Sequence, residues 1–103
     1  MKFSGFDWDR GNWPKCGKHG VSREEIEEIF EHVPAVMADP HPGESRMRAI
    51  GQTRSGRYVF LVFMLRKAHD GTLIRPISAR YMHRKEIAYY EASSSQEDAV
   101  PPE

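Results

Sequence analysis

Hydrophobic residues recur with helical spacing in "GVSREEIEEIFEHV", residues 20–33. The apolar positions fall at i, i+3, i+4 and i+7, and they are Ile26, Ile29, Phe30 and Val33. Ser22 and Glu25 have the spacing of a capping box, which marks the start of a helix. Pro34 prevents the helix from continuing. The pattern therefore predicts an amphipathic helix over residues 22–32.

Three strand-like runs follow a loop that is rich in proline and glycine, and they cover residues 46–54, 58–66 and 73–80. Ser55-Gly56 and Asp70-Gly71 lie between the runs and favour tight turns, so the pattern predicts an antiparallel meander. The middle run is apolar on both faces and is expected to be the central strand. Pro76 has no amide hydrogen, so the third run is predicted to be either an edge strand or bulged at that point.

The flanking segments add a short strand and further helices. Residues 2–9, "KFSGFDWD", predict a short strand, and Asp9 is placed to cap a short helix over residues 10–18. Residues 83–92 predict a closing helix, and the polar tail 93–103 is expected to be disordered. The expected fold is α+β: one domain over residues 1–92, with a small antiparallel sheet packed against two to three helices.

Composition limits the chain to one modest core, since it has 103 residues of which 39% are hydrophobic. The longest apolar run, residues 58–65, is far shorter than the roughly 20 residues of a membrane helix. The first ten residues lack the sections of a signal peptide. We therefore expect a cytoplasmic protein that does not contact a membrane. Cys16 is alone and makes no internal disulfide.

The formal net charge is zero, yet residues 45–86 hold ten Lys and Arg against only Asp70 and Glu86. The segment "IRPISARYMHRKE", residues 74–86, is the most basic part of this region. Such a distribution favours a basic face for a polyanion such as RNA. Arginines on the solvated faces of strands give the same pattern, and charge alone leaves both interpretations open.

Several kinds of chemistry lack a supporting pattern. The five histidines and Cys16 do not have the paired spacings of zinc sites, so no metal and no cofactor is expected. Nothing near Cys16 resembles a cysteine nucleophile motif, and "CGKHG" lacks the spacing of a phosphate-binding loop. RNA cleavage without a metal remains, because it needs only an acid, a base and positive charge around the phosphorane.

Alternation along the third run predicts two faces, one with Ile74, Ser78 and Arg80 and the other with Leu73, Arg75 and Ile77. If the three strands pair in chain order, Arg66 and Arg80 lie at strand ends and are expected to converge with Lys18 and His19. Each candidate also has a structural explanation. His19 can satisfy a backbone carbonyl, and Arg80 can pair with Glu86 or Glu91. His83 can cap the turn before the closing helix.

Five segments in order resemble the BrnT family of toxins from bacterial type II toxin–antitoxin systems. They are "FDWD" at 6–9, "KHGVSREEIEEIF" at 18–30, "GESRMRAIGQTRSGRYVFLVF" at 43–63, "IRPISARYMHRKE" at 74–86 and "YYE" at 89–91. The resemblance implies a RelE-like fold and a metal-independent endoribonuclease that arrests translation and growth. It also implies neutralisation by a BrnA antitoxin with a ribbon-helix-helix domain, through which the pair binds operator DNA.

The resemblance also implies site residues at the matching positions. The catalytic candidates are His19 as acid or base, Arg66 and Arg80 at the phosphorane, and Glu44 as a base or as the partner of Arg46. The RNA-binding candidates are Lys18, Arg46, Arg57, Ser78 and His83. Trp8 matches the family pattern as well.

Two features depart from what the resemblance implies. The chain is neutral where many such toxins are basic, and Pro14 and Gly17 interrupt the first predicted helix. RelE-like folds also differ widely in their active-site residues, so the fold alone does not establish the activity. A second interpretation therefore stays open: a non-catalytic toxin homologue that acts as an antitoxin-binding or corepressor module.

Overall fold

The computed structural model describes residues 3–39 and 45–99, with only the backbone for residues 94–99. The fold is α+β, as expected: a five-stranded sheet, two α-helices and one 3₁₀ turn at Lys15–Gly17. The strands are β1 (Gly5–Phe6), β2 (Ala35–Ala38), β3 (Arg46–Gln52), β4 (Tyr58–Ala68) and β5 (Gly71–Tyr81). The helices are α1 (Arg23–Glu28) and α2 (Arg84–Ala99).

The strand order is β1-β5-β4-β3-β2, which places β4 at the centre, as its apolar sequence predicted. β2, β3, β4 and β5 pair antiparallel with their neighbours, but β1 pairs parallel to β5. The sheet is therefore mixed, and the expectation of a purely antiparallel sheet is wrong. β5 is also not an edge strand, because β1 pairs with it at Leu73 and Ile74.

A β-bulge interrupts β5 next to Pro76, which confirms the other alternative for this strand. Val62 pairs with Ser78 while Phe63 pairs with Pro76, so Ile77 is the extra residue on β5. The extra residue reverses the alternation that the sequence predicted. Ile74 is fully buried in the core, and Arg75 joins the face that carries Ser78 and Arg80.

The capping box of α1 is confirmed: Ser22 Oγ accepts from the Glu25 amide, and the Glu25 carboxylate accepts from the Ser22 amide. The helix ends at Glu28, four residues earlier than predicted. Gly51 on β3 explains this end in part, because a Cβ there would lie 2.8 Å from Ile29 Cβ. The chain turns at this contact to reach β2, and Val33 is 97% exposed instead of buried.

The other two predicted helices also differ from the structure. Residues 10–18 form turns and the 3₁₀ turn instead of a regular helix, since Pro14 and Gly17 both disfavour one. α2 starts where expected but continues to Ala99, past the predicted end at residue 92. Residues 100–103 of the predicted tail lie outside the described residues, and the domain boundary at residue 92 stays a prediction.

The core lies between α1, the amino-terminal segment and one face of the sheet. Ile26 of α1 and Ile29, the residue after the helix, pack there with Leu61 and Phe63 of β4 and with Cys16. Phe3 and Phe6 of the amino-terminal segment contact each other and Phe30, and Phe30 contacts Phe63 of β4, all at centroid distances of 5.5 to 5.7 Å. The core therefore fixes the amino-terminal segment against the sheet.

Candidate functional site

The face of the sheet away from α1, called the open face here, carries most of the strand arginines. Residues that pair across strands share a face, so the register gives its polar members: Arg46, Arg48, Arg66, Arg75, Ser78 and Arg80. α2 covers one end of this face, where the Tyr90 ring contacts Tyr58 at 5.8 Å between centroids. Apolar Phe60, Val62 and Met64 of β4 lie between the arginines.

Carboxylates from distant segments hold four of these arginines. The ion pairs are Arg48–Asp39 at 2.8 Å, Arg66–Asp7 at 3.4 Å, Arg75–Asp7 at 3.1 Å, Arg75–Asp9 at 3.0 Å and Arg80–Glu86 at 2.7 Å. Three of the four carboxylates lie outside residues 45–86. The excess of positive charge in that segment is therefore largely compensated on the open face.

Arg80 pairs with Glu86, one of the two carboxylates that the sequence offered as its structural partner. Its guanidinium donates to both oxygens of Glu86, at 2.7 and 2.8 Å, and lies 4.8 Å from the Phe60 ring centroid. Glu86 also accepts from the His83 amide at 2.9 Å. Hydrogen bonds from Arg80 and from the His83 backbone lower the pKa of Glu86 to about 2. Glu86 is thus ionised at neutral pH and fixes Arg80 against the start of α2.

Arg66 and Arg80 do not converge with each other. Arg66 pairs with Leu73 at one end of the β4–β5 hairpin, whereas Arg80 pairs with Phe60 near the other end. The six steps along the strand from Phe60 to Arg66 span about 20 Å. The expectation that both arginines meet Lys18 and His19 is therefore wrong.

Residues 17–20, called the His19 loop here, lie between two aromatic side chains. Gly17 packs against the Trp13 ring so closely that a Cβ there would lie 2.6 Å from a ring carbon. At the other end, Tyr81 Oη lies 3.3 Å from the Gly20 carbonyl oxygen. Lys18 and His19 are exposed between these two contacts.

Tyr81, the last residue of β5, joins the His19 loop to an arginine and a carboxylate. Its hydroxyl donates to Glu25 at 2.6 Å, and the Arg57 guanidinium carbon lies 3.4 Å from its ring centroid. The hydrogen bond to Glu25, together with burial, raises the pKa of Tyr81. Burial acts to raise the pKa of Glu25, but hydrogen bonds from Tyr81 and Ser22 lower it overall. At neutral pH the phenol is therefore a donor and Glu25 is a carboxylate.

Arg57 and Arg23 differ from the arginines of the open face. Both are exposed and lie over aromatic rings, Arg57 over Tyr81 and Arg23 over Trp8 and Trp13. Within residues 3–39 and 45–99, neither has a carboxylate within ion-pair distance. These two cations flank the His19 loop, so exposed positive charge is concentrated there.

The family model described as "Ribonuclease toxin, BrnT, of type II toxin-antitoxin system" matches residues 8–86. The chain belongs to the BrnT ribonuclease toxins. As a type II toxin it has an antitoxin partner. No curated protein sequence matches the chain significantly.

The BrnT fold divides the sequence-predicted site residues between two places. Lys18 and His19 are exposed on the His19 loop, which contacts Tyr81 beneath Arg57, and Arg46, Arg66, Ser78 and Arg80 lie on the open face. His83 is exposed at the start of α2, and Glu44 lies outside the described residues.

Sequence reasoning missed Tyr81 and Arg23, whose contacts place them at the two ends of the His19 loop. The sequence did contain a signal for both residues, because each lies in a segment that holds an aromatic residue and a basic residue. These segments are "ARY", residues 79–81, and "WPKCGKHGVSR", residues 13–23. Among the residues that the structure describes, no three His, Cys, Asp or Glu side chains form a metal site. No described helix is long and apolar enough to cross a membrane.

Proposed function

We propose that this BrnT toxin cleaves RNA without a metal ion at the surface formed by the His19 loop, Arg57 and Tyr81. The observation that carries the proposal is Arg57, which lies 3.4 Å from the centroid of the Tyr81 ring, while the Tyr81 hydroxyl contacts the loop that exposes Lys18 and His19. A guanidinium supported by an aromatic ring, with its N–H groups available, suits the bidentate binding of a phosphate.

Each residue then has one role in transesterification. His19 accepts the proton of the ribose 2′-hydroxyl as the 2′-oxygen forms a bond to phosphorus. The bond between phosphorus and the 5′-oxygen breaks, and the leaving oxygen takes a proton from water. Arg57 and Lys18 stabilise the additional negative charge on the phosphorane. The products are a 2′,3′-cyclic phosphate and a 5′-hydroxyl end.

Tyr81 supports Arg57 and does not transfer a proton in this scheme. Its raised pKa keeps the phenol protonated, and its hydrogen bond to Glu25 fixes the ring under the guanidinium. Glu25 is in turn held by the capping box of α1. The sheet and the helix thus orient the cation before RNA binds, which lowers the cost of organising the transition state.

We assign Arg66 and Arg80 structural roles instead of the catalytic roles that the family resemblance implied. Asp7 and Glu86 already neutralise them, and their positions lie about 20 Å apart along β4. Arg46 and Ser78 remain proposed contacts for RNA that extends onto the open face, and His83 for RNA that passes the start of α2. The role of Glu44 stays a prediction.

We further propose a RelE-like relation for the fold and a BrnA-type ribbon-helix-helix protein as the antitoxin. In this proposal the free toxin arrests translation and growth in the cytoplasm, and the pair binds operator DNA through the antitoxin. The family assignment to type II ribonuclease toxins supports these steps.

The test is cleavage of a single-stranded RNA by the purified protein in excess EDTA, with analysis of the product ends. His19→Gln and Arg57→Gln are expected to reduce the rate by roughly a hundredfold or more. Lys67→Gln, an exposed residue near the turn between β4 and β5, is the matched control and is expected to retain the wild-type rate. Full activity of both site variants, or a requirement for a divalent cation, would overturn the proposal.

The alternative is a non-catalytic module that binds an antitoxin or acts as a corepressor. The carboxylate-paired arginines favour it, because they leave the open face less basic than an RNA-binding surface. A folded wild-type protein that binds its antitoxin but neither cleaves RNA nor arrests growth would establish this alternative.

A further inference from the structure

We propose that Arg23, supported by Trp8 and Trp13, is a nucleobase-binding subsite for single-stranded RNA. This inference rests on the proposed function, because it places a base beside the cleaved phosphate. Arg57 and Tyr81 border one end of the His19 loop, and the Arg23 cluster borders the other.

The three side chains form one cluster of mutual contacts. The Arg23 guanidinium carbon lies 5.6 Å from the Trp8 ring centroid and 5.9 Å from that of Trp13. The two indoles contact edge to face, with centroids 5.5 Å apart and an interplanar angle of 80°. Both distances from Arg23 are within the roughly 6 Å range of cation–π attraction.

Neighbouring groups hold both indoles in place before any ligand binds. Trp8 Nε1 donates to the Glu27 carboxylate at 2.8 Å, which fixes this ring against α1. The Trp13 ring lies against the backbone of Gly17, where any Cβ would collide with it. The His19 loop is therefore packed directly against the cluster, and the cluster is rigid without RNA.

Arg23 itself is available to a ligand. Its side chain is exposed, and within the described residues no carboxylate lies within ion-pair distance of it. Arg75, by contrast, is saturated by Asp7 and Asp9. An arginine that only stabilised the fold would be expected to have such a partner.

Unpaired RNA bases bind on aromatic rings and on guanidinium planes, and they do so with little preference between bases. Arg23 follows His19 by four residues, so the two lie within about 14 Å of each other. A short segment of single-stranded RNA can therefore contact both. The ligand class that fits is an unpaired base next to the cleaved bond, held by stacking on Arg23.

Trp8 and Trp13 are the two tryptophans of the chain, so fluorescence excited selectively at tryptophan reports on this cluster alone. The probe is a 2′-O-methyl oligoadenylate, which cannot be cleaved by 2′-hydroxyl attack, and an abasic oligonucleotide of equal length is the control. We expect saturable quenching by the oligoadenylate and at most weak quenching by the abasic strand. Equal quenching by both strands, or binding seen by anisotropy without quenching, would overturn the subsite.

Variants of Arg23 distinguish a stacking contact with the RNA base from a contact that depends only on charge. Arg23→Gln and Arg23→Lys are both expected to weaken binding of the 2′-O-methyl strand by roughly tenfold, because neither residue offers a planar cation. Arg10→Gln, another exposed arginine, is the control and is expected to bind as the wild type does. Wild-type affinity of Arg23→Gln would overturn the inference, and full rescue by Arg23→Lys would replace stacking by a charge contact.

The two proposals fail in different ways. Quenching and weakened binding by Arg23→Gln without any cleavage would reject the ribonuclease site and leave the subsite intact. Cleavage that depends on His19 and Arg57, with no quenching, would reject the subsite alone.

Discussion

Arg57 and Tyr81 meet because of the strand register, since Arg57 immediately precedes β4 and Tyr81 ends β5. Val59 pairs with Tyr81 across these strands, which brings the start of one strand beside the end of the other. The guanidinium then lies 3.4 Å from the ring centroid. The pairing of β4 with β5 therefore fixes the position of Arg57, which the turn before β4 would not fix by itself.

Tyr81→Phe is expected to retain RNA cleavage within a few-fold, because the ring still supports Arg57. It should lower the free energy of unfolding by about 1 kcal/mol through loss of the hydrogen bond to Glu25. Tyr81→Leu removes the ring and is expected to lower kcat at least tenfold. Loss of activity in Tyr81→Phe, measured by single-turnover cleavage of folded protein, would show that the hydroxyl itself takes part.

Asn12→Ala is expected to lower the free energy of unfolding by about 3 kcal/mol, because three hydrogen bonds are lost in a buried place. Asn12 Nδ2 donates to the carbonyls of Asp7 and Pro76, and its Oδ1 accepts from the Asp9 amide. Urea denaturation measures the change, and exposed Arg10→Ala serves as the control. A loss below 1 kcal/mol would mean that the amino-terminal segment does not depend on this residue.

Stability is expected to fall in acid as Glu86 becomes protonated. Its pKa in the folded state, about 2, lies below the ordinary 4.5, so it binds a proton more readily when unfolded. Its contribution is present above pH 4.5 and is lost as the pH falls toward 2. Thermal unfolding of wild type and Glu86→Gln across this range is the measurement. Parallel curves for the two proteins would contradict this assignment.

Cys16 is expected to react slowly with iodoacetamide in the native protein. The thiol is 2% exposed, and burial raises its pKa from 9.0 to about 11. At pH 8 this lowers the thiolate fraction roughly a hundredfold relative to an unfolded thiol. Labelling followed by mass spectrometry, with a urea-unfolded control, tests the prediction. Equal rates in both states would show that the 3₁₀ turn opens readily.

The elements with strong local signals were predictable from the sequence. The capping box at Ser22 and Glu25 depends on neighbouring residues, and the central position of β4 follows from apolar residues on both faces. β1 was expected as a strand, but its parallel pairing with β5 was not, because composition does not specify a partner. β2 was missed, since its four residues lie beside a proline-rich loop.

The arrangement of the candidate site was less predictable, because it depends on contacts between distant segments. Asp7 and Asp39 neutralise arginines that alternation and charge counting treated as unpaired. The pairing of Arg57 with Tyr81 depends on register, and that of Arg23 with Trp13 depends on the turn after Asp9. The family resemblance named Lys18, His19 and Arg57 as site residues, but no pattern in the sequence predicted that Tyr81 would lie between Arg57 and the His19 loop.

The bulge at Ile77 gives β5 one residue that the pairing with β4 does not use. Deletion of that residue would leave Pro76 opposite Phe63 and Ser78 opposite Val62, so Arg80 and Tyr81 would keep their faces. Insertion of one residue after Ser78, by contrast, would turn Arg80 into the core and move Tyr81 away from Arg57. We therefore expect β5 to tolerate the loss of one residue at Ile77 in evolution far better than the gain of one residue after Ser78.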